Sequence, residues 1–151
     1  MLALQQSGRY SWADPRKGIQ DIRDFMPRIL VCDDEPLISL MLQEWLTELD
    51  CETVGPASSV QTALTLIENT PPDAAILDLS LGGEDSYSVA MDLRSRHIPF
   101  AFATGYADKA LDTAFKGELV VAKPFDFEAI KSLLGKLLDS KARSGTGAIG
   151  S

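Results

Sequence analysis

Five short apolar runs divide the chain: RILVC (28–32), CETVG (51–55), AAILD (74–78), FAFAT (100–104) and LVVAK (119–123). Four are almost continuous in apolar character, the pattern of strands buried on both faces of a parallel sheet. CETVG alternates instead and suits an edge strand. Between the runs, apolar residues return at helical spacing. Ile38, Leu42, Trp45, Leu46 and Leu49 share one face of a first helix. Val60, Ala63, Leu64 and Ile67 share one face of a second, with Ser58 and Ser59 as caps and NTPPD to stop it. Val89, Ala90 and Leu93 support a third, and Ala107, Ala110, Leu111 and Ala114 a short fourth. Ile130, Leu133, Leu134, Leu137 and Leu138 make a fifth, capped by Asp126. Each stripe is read as core packing. The alternation predicts an α/β fold of (βα)5 type. Right-handed crossovers place helices on both faces of a doubly wound, five-stranded parallel sheet, flavodoxin-like, with order 2-1-3-4-5.

The ends fall outside this pattern. Residues 1–27 are mixed and read as a flexible or partly helical arm, residues 28–139 as the ordered domain, and residues 140–151, rich in Gly and Ser, as a disordered tail. A chain of 151 residues suits one domain with a sizeable core. The net charge of −8 argues against a broad DNA-binding face. No apolar run approaches the roughly 18 residues a membrane span needs. The first residues have neither a basic n-region nor a sustained apolar h-region, so a cytoplasmic protein is expected. Cys32 and Cys51 are too few for a disulfide framework or a zinc site. At opposite ends of neighbouring strands they would stand about 16 Å apart, beyond disulfide reach.

The polar residues that close the runs carry the chemistry. Asp33 and Asp34 follow the first, Asp78 ends the third, Thr104 the fourth and Lys123 the fifth. All carboxyl ends of a parallel sheet lie at one edge, so these residues gather at one crevice, where open α/β sheets bind ligands. Three carboxylates in one pocket cannot all stay ionised and unpaired. A hard divalent cation resolves the conflict, and an oxygen-only donor set favours Mg²⁺. Mg²⁺, the Lys123 ammonium and the Thr104 hydroxyl around one carboxylate would suit the equatorial oxygens of a transferring phosphoryl group. Taken singly, Asp34 reads equally well as a helix cap, whereas Thr104 is more often a turn residue and Lys123 more often a solvated lysine. Their concurrence at one edge is what points to a site.

The stretches ILVCDDEP, AILDLSLGG, FATGYAD and AKPF, in this order and at these intervals, resemble the signatures of bacterial two-component response-regulator receiver domains, the CheY-like superfamily, over about residues 28 to 139. The resemblance implies that Asp78 is the phosphoacceptor, Asp34 a direct Mg²⁺ ligand, Asp33 an acid that binds the ion largely through water, and the Ser80 backbone carbonyl a further ligand. It implies that Thr104 is the switch hydroxyl, that Lys123 pairs with the phosphoryl group, and that the Lys123–Pro124 peptide is cis. The family usually has Tyr or Phe three residues before the lysine; here that position is Val120. PFAFATGYAD (99–108) resembles a subfamily of single-domain regulators with a Phe-Ala-Thr-Gly-Tyr motif, in which Tyr106 would supply the missing ring and Gly105 loosen the loop.

The function implied is that of a stand-alone receiver. It accepts a phosphoryl group from a sensor histidine kinase and catalyses only its own phosphorylation and dephosphorylation. The twelve residues after position 139 are too few for a helix-turn-helix, so it would signal through a downstream protein, a phosphorelay or phosphate-sink action, as a monomer or weak dimer. The motif after the fourth strand resembles that of regulators partnered with kinases of the HWE or a related class. Two rivals stand beside this reading: a receiver fold kept as a phosphorylation-independent binding module, and a Mg²⁺-dependent phosphohydrolase.

Overall fold

A computed structural model describes residues 26–105 and 111–150. The elements, in chain order, are β1 (Arg28–Cys32), α1 (Pro36–Glu48), β2 (Glu52–Ala57), α2 (Val60–Asn69), β3 (Ala74–Asp78), the two-residue strands β4 (Ser80–Leu81) and β5 (Glu84–Asp85), α3 (Tyr87–Ser95), β6 (Phe100–Thr104), a 3₁₀ turn at Thr113–Phe115, β7 (Leu119–Ala122) and α4 (Phe127–Gly150). The five long strands form one parallel sheet ordered β2-β1-β3-β6-β7. With the β4–β5 hairpin set aside, this is the expected order 2-1-3-4-5.

Alternate side chains of the three central strands, β1, β3 and β6, feed two cores. Ile29 and Val31 of β1 face α1 and α4, packing with Leu42, Leu46, Ile130, Leu134 and Leu137. Leu30 and Cys32 point the other way, toward α2 and α3, with Ala63, Ile67, Val89 and Leu93. Each Leu or Ile so removed from water contributes about 2 kcal/mol, which is why strands this apolar settle in the middle of the sheet. Ser59 caps α2 by accepting the Thr62 N–H at 3.1 Å, and Asp126 caps α4 by accepting the Ala129 N–H at 2.8 Å. Both cysteines are buried thiols outside any disulfide. Among the described residues no helix is long and apolar enough to cross a membrane.

Four local features differ from the reading of the sequence. β2 runs on to Ala57 instead of ending at residue 55. Its register against β1 shifts between Leu30 and Cys32, at Gly55 (φ 97°), where a Cβ would stand 2.8 Å from the Ala57 nitrogen. The Gly82-Gly83 pair (φ 56° and 88°) turns a small antiparallel hairpin that the apolar pattern does not announce.

The expected fourth helix is not found in the part that can be compared. Ala107 and Ala110 lie outside the described residues, Ala114 is exposed, and only a 3₁₀ turn follows. The anchor there is Phe115, 2% exposed, packed on Phe100 and Phe102. One large ring in an aromatic cluster outweighs a weak alanine stripe. The tail expected to be disordered instead continues α4 through Gly150. No proline interrupts it, and extending a helix already fixed by packing is far easier than nucleating one, even through glycines. The arm of residues 1–27 lies outside the described residues except for its last two.

Candidate functional site

The carboxyl edge of the sheet brings the chemistry together. β1 delivers Asp33, whose N–H donates to the Ala57 carbonyl at 3.0 Å and extends the β1–β2 ladder past the strand end. β3 ends on Asp78 and β6 on Thr104. β7 leads to Lys123, whose N–H donates to the Thr104 carbonyl at 2.9 Å, and the Lys123–Pro124 peptide is cis. Beyond β1 the chain stays extended at Glu35 (φ −97°, ψ 112°) before Pro36 opens α1. Glu35 caps that helix in position only and makes no side-chain cap bond. Asp33 accepts its N–H at 2.9 Å instead.

Lys123 is the hub. Its Nζ stands 2.9 Å from Asp33 Oδ2, 3.0 Å from Glu35 Oε1 and 3.1 Å from Asp78 Oδ2. The Asp33 side chain is 2% exposed, and those of Lys123 and Asp78 are each 13% exposed. The other oxygen of Asp78 accepts the Ser80 N–H at 3.3 Å. Burial pulls the Lys123 ammonium toward its neutral form, but its three carboxylate partners outweigh this, and its pKa lies above the ordinary lysine value. It is therefore charged at neutral pH. Asp78 is pushed the other way from most paired carboxylates. Burial, with the charge of Asp33, raises its pKa above the ordinary value despite the hydrogen bonds from Lys123 and Ser80.

A test follows from that direction. In metal-free protein the Asp78 side-chain carboxyl should titrate above the usual aspartate range, and saturating Mg²⁺ should lower the midpoint. Carbon-detected NMR titration of that carboxyl reads both; a midpoint at or below the ordinary value would contradict the burial argument.

The cleft above these groups has a volume of ≈ 790 Å³ and is lined by Asp34, Asp78, Ser80, Tyr87, Thr104, Gly105 and Lys123 among others. Asp33, Glu35 and Asp78 each offer a carboxylate oxygen, and these oxygens all lie within 4.8 Å of one another. Asp34 is at the rim of the same cleft, where its Oδ2 accepts the Gly82 N–H of the hairpin at 2.9 Å. Val120 is 41% exposed on β7 and lies in register with Phe102 of β6. Tyr106 lies outside the described residues. An all-oxygen set of this charge fits a hard divalent cation.

Two residues were not singled out by sequence reasoning. Glu35 follows the acid pair, and Pro36 signals that it precedes the helix; an extended residue there throws its side chain into the crevice. Tyr87 opens α3 behind the hairpin, and no linear pattern places it against the cleft.

The model of the response regulator receiver domain matches residues 29–135. The chain belongs to that family. Sensory transduction protein LytT of Bacillus subtilis is 32% identical over 119 residues, which are 74% of this chain and 48% of that protein, so this chain spans about half its length. Sporulation initiation phosphotransferase F of the same organism is 28% identical over 120 residues, 76% of this chain and 96% of that protein. The solution structure of SdrG from Sphingomonas melonis Fr1 is similar with a TM-score of 0.65 and 42% identity, over 78% of this chain and 97% of that one. The chain thus carries a response-regulator receiver domain. Receiver domains generally bind Mg²⁺ at an acidic pocket, and the Asp33, Glu35, Asp78 cluster supplies one here.

Proposed function

We propose that this receiver takes a phosphoryl group from a sensor histidine kinase onto Asp78 and signals through protein contacts, onward phosphotransfer or phosphate-sink action. The observation that carries the reading is the Asp78 carboxylate itself: one oxygen meets the Lys123 ammonium, the other the Ser80 N–H, and both face a cleft that Thr104 also lines.

Asp33, Asp34, Asp78 and the Ser80 carbonyl, with Glu35 beside them, would hold Mg²⁺, which when bound supplies positive charge against the phosphoryl oxygens. Asp78 attacks phosphorus in line. A P–O bond forms as the P–N bond to the donor imidazole breaks, and the electron pair leaves on the imidazole nitrogen. Lys123 stands where charge develops and stays with the product, and the Thr104 hydroxyl donates to a phosphoryl oxygen. Water later cleaves the acyl phosphate, with Ser80 and Tyr106 as the residues that set its lifetime. The motif that contains Tyr106 favours an HWE-type kinase as donor. Val120 in place of an aromatic shifts the readout away from β7.

A labelled small phosphodonor with Mg²⁺ tests the reading. The expected product is an acid-stable, hydroxylamine-labile adduct. Turnover without a lasting adduct would instead indicate a phosphohydrolase, and no reaction a binding module indifferent to phosphate.

The ion set is testable separately. Mg²⁺ at 100 times its Kd should stabilise the fold by about 2.7 kcal/mol. Asp34→Asn should weaken binding at least tenfold, about 1.4 kcal/mol. Glu35→Gln should leave most of the gain, since Glu35 serves Lys123. Thermal shift against Mg²⁺ concentration reads both, and the reverse ranking would move the direct ligand from Asp34 to Glu35.

A further inference from the structure

Among the described residues that line the acidic cleft, Tyr87 is the one aromatic, and it does three things at once. Its ring lies flat on Phe115, with centroids 4.9 Å apart and an interplanar angle of 5°. It stands edge-on to Phe102 of β6 at 5.8 Å and 83°. Its hydroxyl accepts the Asp112 N–H at 2.9 Å. Asp112 and Phe115 belong to the connection between β6 and β7, which in residues 111–118 contains one 3₁₀ turn and no α-helix.

Such a connection has few ways to hold its place. Phe115 is plugged between Phe100, Phe102 and Tyr87. The Arg94 guanidinium lies 4.5 Å above the centre of its ring and pairs with Glu118 at 2.7 Å. Arg94 ties the segment at the far end of α3, away from the cleft. Tyr87 ties it at the cleft. Phe102 lies on β6 two residues before Thr104, so the Tyr87 ring touches the strand that carries the Thr104 hydroxyl. On β7 the residue in register with Phe102 is Val120, which has no ring and is 41% exposed. β7 thus offers Phe102 no ring at this register, and Tyr87 of α3 meets Phe102 alongside Phe100 and Phe115.

Resting on the phosphoacceptor reading above, we propose that Tyr87 is a positioning residue that couples the state of the cleft to residues 111–118. The ring and hydroxyl hold this segment against the wall that also presents Thr104. When Thr104 and Lys123 close on a phosphoryl group, β6 and the cleft wall adjust, and the stacked pair Tyr87–Phe115 passes the adjustment to the segment. The switch in this receiver then reads out through the first residue of α3, and its output face includes residues 111–118.

Amide NMR with and without beryllofluoride and Mg²⁺, a mimic of the phosphoryl group, tests this in the full chain. In the unaltered protein, Gly105, Asp112, Phe115 and Lys123 should all shift. In Tyr87→Leu, Gly105 and Lys123 should still shift, while the response at Asp112 and Phe115 is lost. Tyr87→Phe keeps the stack and removes only the hydroxyl: Phe115 should respond as before, and Asp112 alone should change. That partial rescue separates coupling from simple loss of folding. An undiminished response of Asp112 and Phe115 in Tyr87→Leu overturns the inference. If Tyr87→Leu does not fold, Tyr87→Phe decides alone, and an unaltered Asp112 response in it overturns the inference too. An unaltered protein that shifts nowhere, Gly105 and Lys123 included, overturns the phosphoacceptor reading and this inference with it, and that outcome is distinct from a failure of coupling alone.

Discussion

Asp78→Asn should take up no phosphoryl label: incorporation from a small phosphodonor falls by roughly 10³-fold or more, to the background of the assay, because the amide has no anionic oxygen to attack phosphorus. The loss should come without loss of folding. The pKa of Asp78 is raised in the folded protein, first by burial and then by Asp33. A carboxyl held above its unfolded value stabilises the fold below the unfolded pKa, and that contribution disappears as pH rises through the folded value. At neutral pH, ionised Asp78 is therefore a net cost, and the asparagine removes it. Lys123 keeps Asp33 and Glu35 as partners. In metal-free buffer near pH 7 the variant should melt at or above the temperature of the unaltered protein. Melting curves on the protein used for labelling check this. Label retained by a folded Asp78→Asn protein would place the acceptor elsewhere.

Lys123→Ala should be the more damaging change to the fold. It strips the shared cation from three carboxylates whose oxygens lie within 4.8 Å of one another, one of them, Asp33, almost fully buried. Removing one partner of a buried pair costs roughly 3–5 kcal/mol because a charge is left uncompensated. Glu35 is exposed and Asp78 reaches the open cleft, so the lower end, about 3 kcal/mol, is expected here. For a domain of this size that is on the order of 10 °C in Tm. The lysine's own pKa is raised, so its contribution is fully present below the ordinary lysine value and is lost only in strong base. The destabilisation should therefore not vary with pH across neutrality on the lysine's account. Mg²⁺ should restore part of it, because a divalent ion can take over the counter-charge. Calorimetry with and without Mg²⁺ reads all three points. A Lys123→Ala protein as stable as the parent without metal would mean that water already screens the cluster.

The central strands were legible because burial on both faces leaves a signature that nothing local disturbs. AAILD and FAFAT have the bounds of β3 and β6, and RILVC those of β1. The edge strand read less well, since β2 depends on a register shift at Gly55 that no alternation of apolar residues encodes. The connection after β6 read poorly for a related reason. An alanine stripe has little to bury, and a single phenylalanine at position 115, held by Tyr87, Phe100 and Phe102, sets the path of residues 111–118.

By itself the sequence determined that Asp33, Asp78, Thr104 and Lys123 would meet, because parallel strands must put all their carboxyl ends at one edge. Tertiary structure alone decided how they meet. Lys123 faces Glu35 as well as the two aspartates, Asp34 turns toward Gly82, and Tyr87 reaches across from α3 to hold Asp112. Chain periodicity fixes which end of a strand a residue occupies. Which neighbour its side chain finds depends on distances of a few ångströms between elements far apart in the chain, and those follow from how the two cores pack.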